Sequence, residues 1–185
     1  MILSIEDLLK LNLKNEVIVF QTDTVYGIGC LISSESGVNK IYEIKKRENK
    51  IPLAILCANL DQVKDIVDSF HLGEEFALAH WPGALTLIYP KKDIIGDYIT
   101  SGLKTIGVRI PNDKIALSIL DKFGPMAVTS LNMSSEPPIL NFTDTLRFEN
   151  DVDYIVKGID LSSISSTVFD VVNQKILRQG IIKLG

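Results

Sequence analysis

Gln21-Thr22-Asp23-Thr24-Val25-Tyr26-Gly27-Ile28-Gly29 gathers hydroxyls, a carboxylate and two glycines directly behind the apolar run Val17-Ile18-Val19-Phe20. A β-branched apolar run that stops in polar residues and glycine predicts a buried strand delivering a loop to the end of a sheet, where open α/β sheets bind ligands. Thr22, Thr24 and Tyr26 can donate or accept hydrogen bonds, and the glycines let the backbone approach a ligand closely. A tight turn capped by Asp23 is the alternative. Lys45, Arg47 and Lys50 lie within six residues; they could hold a polyphosphate, or simply complement the dipole of the helix they terminate. Ser130-Leu131-Asn132-Met133-Ser134-Ser135 offers hydroxyl and amide groups suited to nucleotide or phosphate contacts, with an ordinary polar turn as the other reading. Arg109 is the one charge in the apolar run Thr105-Ile106-Gly107-Val108-Arg109-Ile110. Unless that strand lies at an edge, a guanidinium there serves a carboxylate or phosphate. Strand alternation turns Ile106, Val108 and Ile110 to the core and leaves Arg109 on an open polar face with Thr105 and Gly107. Arg178 invites the same argument.

The elements that must position these groups follow from periodicity and punctuation. Ser4 caps a short helix carrying Ile5, Leu8, Leu9 and Leu11, and a strand spans Glu16 to Phe20. Ser34 or Ser36 starts a helix with Val38, Ile41, Tyr42 and Ile44 at helical spacing. A strand from Leu53 to Ala58 precedes a helix capped by Asn59, and a further helix runs from about Gly73 to His80, stopped by Trp81-Pro82-Gly83. Strands are expected over Ala84–Tyr89, Thr105–Ile110 and Met126–Thr129, with a polar loop to Lys104 and a helix from Asp113 to Phe123. A Pro- and Ser-containing loop from Ser130 to Phe142 and a short helix over Thr143–Phe148 come next. Strands near Asp153–Val156, Thr167–Val172 and Lys175–Arg178 close the chain, the last two as a hairpin over Val172-Asn173-Gln174. Interleaved helices and strands predict a mixed sheet.

The chain has 185 residues, 46% hydrophobic and 23% charged, which suits one domain with a sizeable core. Its formal net charge of −4 gives no global field for nucleic acid, so anion binding must come from a local basic cluster. Cys30 and Cys57 lack a C-x-x-C partner or a neighbouring histidine, and read as small buried hydrophobes. His71 and His80 have no metal-ligand spacing, so no protein metal site is expected. No G-x-S-x-G, G-x-x-x-x-G-K-[ST] or G-x-G-x-x-G motif points to a covalent nucleophile or a P-loop. The N-terminus has no signal-peptide pattern and no stretch is long and apolar enough for a membrane span, so the expectation is a soluble, cytoplasmic protein.

Thr22-Asp23-Thr24-Val25-Tyr26-Gly27-x-Gly29, Ile41-Tyr42-x-x-Lys45-x-Arg47, Trp81-Pro82-Gly83-x-Leu85-Thr86-Leu87, Val108-Arg109-x-Pro111, Ser130-x-Asn132-x-Ser134, Ser166-Thr167-Val168 and Leu177-Arg178-x-Gly180 occur in that order. Together they resemble the YrdC/YciO family, over about residues 15–182. The resemblance implies an α/β (α+β-like) fold, a twisted mixed sheet flanked by helices around a large concave basic cavity. It implies one catalytic domain over residues 1–185, without the additional C-terminal domain of longer members. The implied activity is a nucleotidyltransferase reaction making threonylcarbamoyl-AMP and pyrophosphate from L-threonine, bicarbonate and ATP, for tRNA threonylcarbamoyladenosine modification. A non-catalytic RNA- or nucleotide-binding member is the alternative. A hydrogenase-maturation carbamoyl-transfer module would need zinc-finger and acylphosphatase segments for which the chain has no room.

By the same resemblance, Lys45 and Arg47 neutralise the ATP phosphates as the catalytic cations, while Ser130, Asn132 and Thr105 hold the nucleotide and Arg178 completes that site. Arg109 grips the threonine carboxylate, with Thr22 or Thr24 and Ser166 completing the amino-acid pocket. Mg2+ is expected on the triphosphate, held through phosphate and water rather than a dedicated protein site. Transient contact with the tRNA threonylcarbamoyl-transferase machinery and weak RNA binding are the implied macromolecular contacts. The sequence departs from the family pattern at Gln21, Glu48, Leu131 and Ser135. Lys50 is offset by one residue from the usual basic position. Leu56-Cys57-Ala58 stands where many relatives carry a histidine that helps hold threonine.

Overall fold

Side-chain caps define four helices in the computed structural model, which describes residues 1–47 and 51–185; the readings of Glu48 and Lys50 lie outside the described residues. Ser4 Oγ accepts from the Asp7 amide at the start of Ile5–Leu8. Ser34 does the same for Gly37 ahead of Glu35–Lys45, Asn59 for Gln62 ahead of Leu60–Ile66, and Asp113 for Ala116 ahead of Lys114–Phe123. Each oxygen satisfies one of the amides that a helix leaves unbonded in its first turn. Glu74–His80 forms the remaining multi-turn helix among the described residues.

Ten strands follow in chain order: β1 (Ile2–Leu3), β2 (Ile18–Phe20), β3 (Gly27–Leu31), β4 (Ala54–Leu56), β5 (Leu85–Pro90), β6 (Thr105–Arg109), β7 (Met126–Ser130), β8 (Tyr154–Val156), β9 (Thr167–Asp170) and β10 (Lys175–Arg178). They form one mixed sheet in the order β1-β8-β2-β3-β7-β4-β6-β5-β9-β10. The pairs β1/β8, β2/β8, β4/β6 and β5/β9 are parallel and the others antiparallel. All three residues of β2 are buried because the sheet is covered on both sides there. Val17 and Val19 join the larger core cluster, while Ile18 and Phe20 join a second one with Leu8, Ile119 and Leu120.

Four elements were not expected from the sequence: β1, β3, the 3-10 turn Phe70–Leu72 and the four-residue helix Asp97–Thr100. β3 occupies the second half of the glycine-bearing stretch, read above as loop. Glycine is a poor strand former, but here it permits close packing against β7. A Cβ on Gly29 would lie 2.7 Å from Val128 Cγ2 and 2.9 Å from the Ala127 carbonyl oxygen. The stretch is thus a β-hairpin arm, with its turn at residues 21–26. Gly29→Ala is expected to lower stability by about 1–3 kcal/mol, as forced overpacking does. Urea denaturation would register this as a lower midpoint at unchanged slope, and an unaltered midpoint would show that the two strands can part without loss.

Candidate functional site

β6 sets the geometry of the site. Ile106, Val108 and Ile110 are in the core, as alternation requires, and Gly107 and Arg109 border a cavity of about 340 Å³. Its floor is the matching face of the neighbouring strands, with Ala54 and Leu56 from β4, Thr86 and Ile88 from β5, Val128 and Ser130 from β7 and Val168 from β9. Thr22, Thr24 and Val25 border it from the turn after β2, and Arg47, Ile51, Pro52 and Leu53 from the segment before β4. Ser165, Ser166 and Arg178 complete the wall.

Seven of the ten residues expected at the site therefore meet: Thr22, Thr24, Arg47, Arg109, Ser130, Ser166 and Arg178. Lys45 and Asn132 sit directly behind Ser130. The Lys45 ammonium donates to the Ser130 carbonyl at 2.5 Å and to Asn132 Oδ1 at 2.7 Å, and Ser130 Oγ donates to the same Asn132 oxygen at 2.9 Å. Thr105 is apart from the others, at the far end of β6 opposite Pro90, and does not border the cavity.

Two side chains differ from their expected surroundings. Arg109 is only 6% exposed rather than on an open face. Its Nε donates to the Gly83 carbonyl at 3.0 Å, Nη1 to Thr24 Oγ1 at 3.0 Å, and Nη2 to Asp23 Oδ1 in an ion pair. Thr22 donates to the Val25 carbonyl and so spends its only proton there, which makes Thr24 the donor between the two hydroxyls and leaves a Thr24 lone pair for Arg109. Lys45 is likewise buried, at 3% exposed, not at a solvated helix end. The helix terminates with Lys46 in the left-handed region, which turns the chain so that Lys45 points inward under the loop after β7.

Electrostatically the cavity is one-signed. Arg47, Arg109 and Arg178 border it, and among the described residues none of the bordering side chains is acidic. Burial pulls the pKa of all three guanidiniums below the ordinary value, with Asp23 opposing it at Arg109. Since guanidinium stays protonated, that direction measures how poorly solvated these charges are and how much an anion would relieve them. Arg47 and Arg178 have no carboxylate partner among the described residues; Arg47 Nη1 donates to Thr129 Oγ1 at 3.3 Å. Arg178 donates to the Ser166 carbonyl at 2.9 Å and to Ser166 Oγ at 3.1 Å, and Ser166 Oγ shares a proton with Thr86 Oγ1 at 2.8 Å. Thr86 and Gly83 fall within the Trp81–Leu87 motif quoted above but were given no site role, and Thr129 was not singled out. Thr86 gave the same signal as Arg109, a polar side chain in an apolar strand. Thr129 gave none.

The Sua5/YciO/YrdC family model, described as telomere recombination, matches residues 10–180. The chain belongs to this family. Among curated relatives, "Threonylcarbamoyl-AMP synthase" of Bacillus subtilis is 36% identical over 79% of the chain and 42% of its own length. The protein of the same name from Klebsiella pneumoniae is 28% identical over 91% of the chain and 92% of its own length. Pyrococcus abyssi Sua5, solved in complex with L-threonine, superposes with a TM-score of 0.91 at 29% identity, over 97% of this chain and 57% of that one. This Sua5/YciO/YrdC chain thus spans less than half the length of the Bacillus relative and most of the Klebsiella one. Among the described residues no helix is long and apolar enough to cross a membrane.

The buried Lys45 makes a pH-dependent contribution. Burial first, and the Arg47 charge second, lower its pKa from 10.5 to about 8. Between about pH 8 and 10.5 the unfolded chain then holds this proton more tightly than the folded one, so the Lys45 contribution to stability rises with pH across that window. Lys45→Met is expected to be less stable by about 1–3 kcal/mol at pH 7, because the Ser130 carbonyl loses its donor. The stability difference between wild type and variant should widen from pH 7 to 9.5 in urea titrations. A difference that narrows would mean that the amine is more favoured as a cation in the fold than in water.

Proposed function

We propose that the protein joins L-threonine, bicarbonate and ATP to threonylcarbamoyl-AMP, releasing pyrophosphate. The observation that supports this reading most is the convergence of three poorly solvated guanidiniums and a set of hydroxyls on one cavity bordered by no acidic side chain among the described residues. Such a site suits a polyanion together with a carboxylate-bearing molecule. The relatives named threonylcarbamoyl-AMP synthase and the threonine complex of P. abyssi Sua5 favour the same substrates.

In this reading Arg47, steadied by Thr129, takes the phosphates, and Ser130 and Asn132 take the nucleotide on a loop that Lys45 clamps from behind. Arg178 with Ser166 holds the opposite side. Arg109, with Thr24, receives the amino-acid carboxylate. The reaction needs no covalent nucleophile: a carbamate formed from amine and bicarbonate is unstable in water, so fixing the reactants and excluding solvent are the protein's tasks. Mg2+ would arrive on the triphosphate and neutralise its charge. The hydroxyl and guanidinium lining offers it no carboxylate cage among the described residues, so phosphate and water would complete its shell. The labile product implies prompt hand-over to a tRNA-modifying partner in the cytoplasm.

Pyrophosphate release by the purified protein should require ATP, L-threonine and bicarbonate together. Arg47→Ala should reduce it by about 10²-fold, the scale for loss of a preorganised charge partner. ATP binding without pyrophosphate release under any combination of the three would replace this reading with a non-catalytic nucleotide-binding protein.

A further inference from the structure

The Asp23–Arg109 ion pair stands beside the cavity with unused bonding capacity on both partners. Arg109 engages three of its five N–H donors, on Gly83, Thr24 and Asp23. Asp23 accepts through Oδ1 alone; its other oxygen has no hydrogen-bond partner among the described residues, and the side chain keeps 16% of its surface exposed. Thr22 and Thr24, on either side of it in the chain, and its partner Arg109 border the cavity; Asp23 itself stands just behind that border, and none of the bordering side chains among the described residues is acidic. Asp23 is therefore the carboxylate at hand for a cationic group on a ligand held by Arg109.

An α-amino acid carries its own ion pair, an α-carboxylate and an α-ammonium on one carbon. A protein guanidinium and carboxylate already in contact form the complementary pair, and a zwitterion can dock on them edge to edge without leaving either protein charge unpaired. We infer that Asp23 is the α-ammonium anchor of the amino-acid subsite, with the Arg109 N–H groups left free taking the α-carboxylate. The inference rests on the proposed reaction and adds to it the residue that selects a free amino acid over other carboxylates. It also gives the subsite a direction: a carbamoylated nitrogen carries no positive charge, so Asp23 favours the substrate and not the product.

The test compares two probes by calorimetry, L-threonine and the analogue in which a hydroxyl replaces the α-amino group, on wild type and on Asp23→Asn. Asparagine keeps a side-chain oxygen for Arg109 but removes the anionic charge. Wild type should bind threonine at least ~10-fold more tightly than the analogue, the span expected of one charge-assisted hydrogen bond. In Asp23→Asn the threonine affinity should fall by that factor while the analogue changes by less than about 3-fold. Equal losses of both probes would overturn the inference, leaving Asp23 as a residue that only positions Arg109. Wild type that binds ATP but neither probe would overturn the proposed reaction itself. Should Asp23→Asn fail to fold, Asp23→Glu serves: the charge is kept but displaced by one methylene, and threonine affinity should again change more than that of the analogue. Equal changes there would likewise overturn the inference.

Discussion

A guanidinium buried at the centre of a sheet is the constraint on which the rest of this site depends. Removing Arg109 and Asp23 from water opposes folding by several kcal/mol per ion, and the loss is offset only when the charges meet and further hydrogen bonds support them. The chain meets that condition from three places distant in sequence: the Asp23-Thr24 turn, the Gly83 carbonyl before β5, and β6 itself. Asp23 and Arg109 are 86 residues apart, so the pair forms only once β2, β3, β7, β4 and β6 have taken their order. In return it fixes the turn after β2 over the floor of the cavity. Taking away one partner would leave an uncompensated charge, a loss of about 3–5 kcal/mol. The turn and the strand therefore cannot relax independently.

The cavity itself is a consequence of uneven coverage. One core cluster gathers the inner sides of β3, β5 and β6 under the helices Glu35–Lys45, Leu60–Ile66 and Glu74–His80. The second cluster is smaller, built around Lys114–Phe123 and the first helix, and takes in Leu56 and Val128. Beyond it the same strand faces continue into Gly107, Arg109, Thr86 and Ser166, where hydroxyls and guanidiniums replace aliphatic side chains. Strand register brings them into line: Leu56 pairs with Arg109, and Thr86 with Val168, which in turn pairs with Arg178.

What the sequence made legible was local or periodic. Ser4, Ser34, Asn59 and Asp113 could be recognised as caps because a cap bonds an amide three residues ahead. Arg109 stood out because a charge interrupts an apolar alternation. Its partner did not, because nothing within the Asp23 neighbourhood distinguishes a turn cap from an ion-pair partner brought in by the sheet order. β3 was hidden because its glycines serve the approach of β7, a fact about the neighbour rather than about the stretch itself. Lys45 was visible as a cation, yet its burial follows from the left-handed Lys46 and from where the loop after β7 lands. Thr105 shares the face of β6 that carries Gly107 and Arg109 but stands further along the strand, outside the border of the cavity.

The hairpin that carries Arg178 has a consequence for how the cavity behaves over time. All four residues of β10 are exposed, the strand is bonded on one side only, and its register with β9 slips between Ile176 and Arg178. Such an edge has few buried contacts to lose and belongs to the parts of a fold that open locally, well below the free energy of global unfolding. One of the three cavity cations is thus mounted on a labile unit, while Arg109 is mounted on a strand paired on both sides. An anion held by Arg178 and the order of the hairpin share a single free energy. By reciprocity, each strengthens the other to the same degree.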